Sequence, residues 1–196
     1  MLTTIECAGH PRDMGLAQGS AAREAIRSEV SRLGMPLSRS RIPSLRGLAV
    51  GGVRGGGAGR EMFRHFAHQA ERLEGVARSA GVPIDSILDL HLRIREGGEA
   101  AGLLARRSTV LARAAASSPR DKRLILERTL PRVASGEAGW ILRESQPEVG
   151  FRSLEVGLPW LVSSVAGVNE GGLAVVAGPV LWGREGRQGQ PTSLLL

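Results

Sequence analysis

The spacing of apolar residues changes once along this chain, near residue 108, and that change limits the fold more than any other feature of the sequence. Before it, apolar positions recur at helical intervals. Leu16, Ala21, Ala25, Ile26, Val30 and Leu33 predict one helix over 14–33, with Asp13 as its cap and Gly34 as its stop. Met62, Phe63, Phe66, Ala70, Leu73, Val76 and Ala77 form the stripe of a second helix over about 60–79. "SAGVPID" ends that helix and starts a short third one through Ile87, Leu88 and Leu90. A single strand, "TTIECAG" over 3–9, precedes them.

After residue 108 the runs shorten and turn signals separate them. "TVLARAAA", "RLILERT", "GWILRES", "FRSLEVGL", "SSVAGVN" and "GLAVVAG" read as strands, and "VNEGGL" as a tight hairpin turn between the last two. Helices first and strands afterwards predict an α+β fold, with the helices laid on an antiparallel sheet. The 196 residues suffice for one domain with its own core. Residues 1–107 are then its helical part and 108–196 its sheet part. The final "GQPTSLLL" reads as the first turn of an apolar helix, so the expectation is a domain truncated at its C-terminus.

Residues 35–60 interrupt the helical pattern with prolines, serines and glycines, which predicts a long connecting loop. Its glycines lack the GK[ST] of a P-loop and the spacing of a dinucleotide fingerprint.

Charge raises the question of partners. The formal net charge is +7; Lys122 is the only lysine, and every other one of the 26 basic residues is arginine. The arginines alternate with acids, as in "AREAIRSEVSRL", and aromatic residues make up only 3%. A nucleic-acid surface wants a basic stripe and stacking aromatics, so no nucleic-acid partner is expected. Cys7 is the only cysteine, which rules out an intramolecular disulfide. The N-terminus lacks the basic and apolar regions of a secretory signal. "LPWLVSSVAGV" and "GLAVVAGPVLW" are too short and broken to span a bilayer. The expectation is a cytoplasmic protein without a membrane partner, of undetermined oligomeric state.

Three stretches carry a resemblance. "IECAGHPRDMGLAQGSAAREAI" spaces Gly9, Gly15 and Gly19 ahead of a helix; "ERLEGVARSAGVPIDSILDLHLRIRE" supplies helices; "PEVGFRSLEVGLPWLVSSVAGVNEGGLAVV" supplies strands and a turn with Gly167, Asn169, Gly172 and Leu173. In this order and spacing they resemble the penicillin acyltransferase-like family of N-terminal nucleophile hydrolases, over most of residues 4–180. The resemblance implies an αββα sandwich made as a precursor that cuts itself. It implies action on a linear amide C–N bond, by hydrolysis or acyl transfer, with a small acyl amide or acyl thioester as substrate and no metal or organic cofactor. The residue freed by the cut falls on Ser108, whose α-amine would act as base for its own hydroxyl. Asn169 falls on the oxyanion donor, and Arg128 on an arginine of the nucleophile's surroundings.

This sequence departs from the family pattern in three places. Ser108 replaces the usual Cys, Arg107 replaces the Gly that eases a strained scissile bond, and Pro131 stands where an Asp is usual. Glu127 and Glu137 are the nearby acids. The alternative is therefore a catalytically inactive member of the family that acts as a binding protein.

Other constellations are weaker. Cys7 with His10 lacks a third group, and a small buried cysteine on a strand is the better reading. Glu61, His65 and His68 share one helix face but have no second cluster to complete a metal site. Trp140, Trp160 and Trp182 are expected to pack between layers or line an acyl pocket.

Overall fold

The computed structural model describes residues 3–37, 64–95, 110–114, 124–128 and 139–176. Their elements run β1 (Thr3–Gly9), α1 (Pro11–Ala21), α2 (Arg23–Arg32), α3 (Ala67–Ala80), α4 (Ile84–Arg95), β2 (Val110–Ala114), β3 (Leu124–Arg128), β4 (Ile141–Pro147), β5 (Ser153–Gly157), β6 (Ala166–Asn169) and β7 (Ala174–Val176). This is a mixed α+β arrangement, and no helix among the described residues is long and apolar enough to cross a membrane.

The helix expected over 14–33 is two helices. It begins earlier, with Pro11 in the first turn, where a missing N–H costs nothing. Asp13 makes no capping bond; it sits inside the first turn, where its charge meets the helix dipole. At Ala22 the backbone bends to φ −103° and ψ 18°. Hydrogen bonds still cross the bend, from Ala22 N–H to Gln18 O and from Ile26 N–H to Ala22 O. Alanine fits a straight helix as well as a bent one, so the apolar spacing carries no sign of the bend.

Gly34 and Gly81 end α2 and α3 at φ +67° and +68°. In each case the next residue's N–H reaches back: Met35 to Val30 O and Val82 to Ala77 O. Both are left-handed caps that glycine adopts without strain.

Strands β1, β4, β5, β6 and β7 form one sheet in that order. The β4–β7 meander is antiparallel, as expected. β1 corrects the rest: it pairs in parallel with β4, from Thr3↔Ile141 to Gly9↔Pro147. A parallel neighbour needs a long crossover, and the intervening helices provide it. β2 and β3 form a separate antiparallel pair in which Val110 faces Arg128, and β3 approaches β7.

One face of the sheet is covered by helices. α1 lies on β1 and β4, and α3 packs closely on α1. The approach is close because of glycine: a Cβ at Gly15 would overlap Arg72 O, one at Gly19 would overlap Val76 O, and one at Gly75 would overlap Arg12 O. Ile5, Ile26, Leu73, Val76, Ile87, Ile141, Trp160 and Leu161 fill the core beneath. Each such apolar side chain contributes about 1.5–3 kcal/mol by leaving water. On the opposite face Leu154 and Val168 remain 43% and 46% exposed.

Candidate functional site

Strand register assembles an unusual polar patch on the helix-covered face. The pairs Cys7↔Ser145, Ser145↔Ser153 and Ser153↔Asn169 run as one row across four strands. The adjacent row holds Ile5, Arg143, Glu155 and Gly167. Side chains opposite one another in paired strands share a face. Two rows of a core-facing surface thus contain one apolar side chain larger than cysteine.

Arg143 is the centre of this patch and is 1% exposed. Its Nε and Nη2 both donate to Glu155 Oε2. Nη1 donates to Gln18 Oε1 and Leu161 O, each at 2.9 Å. Nη2 also reaches Val162 O and Ser163 O. One guanidinium therefore ties together α1, β5 and the 158–165 segment, with every N–H used. Gln18 completes the tie by donating to Pro159 O and Leu161 O. Burial raises the Glu155 carboxyl, but Arg143 and Arg72 outweigh it and hold the group below the ordinary carboxylate range.

Arg72 descends from α3 into the same patch and donates to Ser145 Oγ at 3.2 Å. Burial lowers its pKa to about 10, with Arg143 adding to the effect, so it stays charged at neutral pH. Cys7 is fully buried beside it, and burial pushes its thiol above the usual value. It is the small buried cysteine that the strand pattern implied. His10 faces Glu71 at the surface instead.

His91 and Trp160 form a second buried pair, edge to face at 5.2 Å. His91 Nδ1 lies 2.8 Å from Ile87 O, and Val162 N–H points to Nε2. The carbonyl requires a proton on Nδ1 and the N–H requires a bare Nε2, so the ring is neutral. Burial lowers its pKa to about 4.

Of the residues singled out from sequence, Ser108 lies outside the described residues, as do Arg107, Glu61, Pro131, Glu137 and Trp182. Arg128 closes β3, and its Cα partner is Val110, the second residue after Ser108 in the chain. Asn169 ends β6. Its Oδ1 accepts from Leu173 N–H at 2.9 Å, while Asn169 N–H donates to Leu173 O and Gly172 N–H to Asn169 O. The Leu173 donor fixes the carboxamide: Oδ1 must face it, and Nδ2 keeps both N–H bonds without a partner among the described residues. Trp160 is buried and Trp140 packs at the core's edge. The described residues contain no group of three or more His, Cys, Asp or Glu poised to hold a metal.

Arg72, Arg143, Glu155 and His91 were missed as site residues. One signal for two of them exists: with a hairpin turning at Gly150, Arg143 and Glu155 fall opposite one another. Arg72 and His91 leave no such mark, because a polar residue on a helix stripe reads as an interruption.

No protein-family model matches this chain, and no curated protein is significantly similar to it. What the fold and patch define is an α+β protein with helices on one face of a mixed sheet and a buried arginine–carboxylate centre between those layers.

Proposed function

We propose that this chain is an N-terminal nucleophile hydrolase that cleaves or transfers the acyl group of a linear amide, with Ser108 as nucleophile. The proposal includes the αββα sandwich, for which the half-exposed Leu154 and Val168 supply the apolar start of an inter-sheet layer. The observation that carries it is the Asn169 turn. A carboxamide locked by its oxygen presents an N–H donor, which an oxyanion requires. Arg128 supports it by standing opposite the strand that follows Ser108.

The reaction runs as follows. Cleavage of the Arg107–Ser108 bond frees the Ser108 α-amine, whose ordinary pKa near neutrality suits a general base. The amine takes the hydroxyl proton as Oγ adds to the substrate carbonyl carbon, and Asn169 Nδ2 donates to the resulting oxyanion. Collapse breaks the C–N bond, and the leaving amine takes the proton. Water, or an acceptor amine or thiol, then removes the acyl group from Oγ.

Intact-mass measurement of the purified protein tests this. A chain beginning at Ser108 is expected, absent from Ser108→Ala. Asn169→Asp keeps the acceptor for Leu173 N–H and removes the donor, so turnover of an amide should fall about 100- to 1000-fold. An uncut chain that forms no adduct with an acylating probe would leave the binding-protein reading standing.

A further inference from the structure

Arg72 is a second buried guanidinium in a patch whose one carboxylate among the described residues, Glu155, it shares with Arg143. Glu155 is the one acid of the patch, and it is committed: Oε2 to Arg143 and Oε1 to Ser153 Oγ. Arg72 Nε is buried with no hydrogen-bond partner, although the side chain is only 9% exposed. One turn earlier on the same helix, Gln69 Oε1 is buried and equally unpartnered. Residues three apart on a helix share a face. Two buried guanidiniums sharing one carboxylate, and an orphaned donor on one of them, each carry a free-energy cost that a further anion at this point would remove.

Arg143 shows what such an edge takes. Its Nε and Nη2 both donate to a single carboxylate oxygen, Glu155 Oε2. On Arg72 the same edge has Nη2 on Ser145 and Nε open. Cys7 and Ser145 are buried, whereas Ser153 is half-buried and the Glu155 side chain is 16% exposed, so the patch is least covered on its β5 side.

We infer that Arg72 and Gln69 form a binding site for a small carboxylate with an N–H donor close to it, as in an N-acyl amino acid, the carboxylate on Arg72 and the N–H on Gln69 Oε1. Ser145 orients the guanidinium. The site stands whether or not Ser108 is a nucleophile, since none of its groups takes part in that chemistry.

Calorimetric titration and thermal melts of the whole chain test it, with N-acetylglycine, acetate and N-methylacetamide as probes, at constant ionic strength set with chloride. N-acetylglycine should bind saturably at one site, acetate more weakly, and N-methylacetamide not at all. At about 100 times the Kd, Tm should rise by roughly 5–10 °C. Arg72→Met should abolish both responses, and Gln69→Leu should keep the acetate response while removing the preference for N-acetylglycine. Should Arg72→Met not fold, the Gln69→Leu comparison and the neutral probe decide. No response beyond chloride, equal binding of N-methylacetamide, or an unchanged N-acetylglycine preference in Gln69→Leu would each overturn the site.

Discussion

Gly15 and Gly19 hold α1 against α3 at a distance no side chain permits. Alanine at either position would push its methyl into a backbone carbonyl oxygen of α3, which cannot rotate away. Each substitution should cost about 1–3 kcal/mol, read as a lower urea midpoint with an unchanged m-value. The same scale separates the two ends of the Arg143–Glu155 pair. Glu155→Gln leaves two buried guanidiniums without their carboxylate and should cost about 3–5 kcal/mol. Arg143→Met should cost more, because it also strips Gln18 Oε1 and the Val162 and Ser163 carbonyls of their donor. A smaller loss for Arg143→Met would contradict this ranking.

Between elements, His91 joins α4 to the 158–165 segment by accepting from Val162 N–H and meeting Trp160 edge to face. Its folded pKa of about 4 lies below the unfolded value near 6.5. The unfolded chain therefore binds the proton first as pH falls. Stability from this group is complete above about pH 6.5 and drains away toward pH 4, a loss of about 3 kcal/mol. Glu155, also depressed, adds a further loss once pH enters the carboxylate range. Urea midpoints from pH 7 to 4 should show the slope, and His91→Gln should flatten its upper part.

The elements themselves were largely legible. All seven strands follow from periodicity, as do the helix over 84–95 and, within the helix expected over about 60–79, the part over 67–80. The bend at Ala22 and the parallel placement of β1 were not legible. A bend in alanine changes no pattern, and a seven-residue strand bears no record of which distant strand it will join. Of the candidate site, Asn169 was visible through its turn, whereas the arginine patch depends on cross-sheet register that only the fold supplies.

At the scale of the molecule, the segments before and after residue 108 are interleaved. β1 lies in the same sheet as β4, Gln18 is bonded to the 158–165 segment, and Arg72 reaches Ser145. If the Arg107–Ser108 bond is cut, the two products should co-elute in native size-exclusion chromatography and separate only in denaturant. Separation under native conditions would contradict the pairing.

The parallel register of β1 on β4 has a constructive consequence as well. Because the edge strand and its helices meet the meander through backbone pairing and buried polar bonds, covalent continuity between them is a convenience of synthesis. Residues 1–107 and 108–196, expressed as separate polypeptides and mixed, should reconstitute one molecule by complementation. Neither piece alone should show a cooperative melt, since the first would lack the sheet that supports its strand and the second would expose the Arg143–Glu155 pair to water.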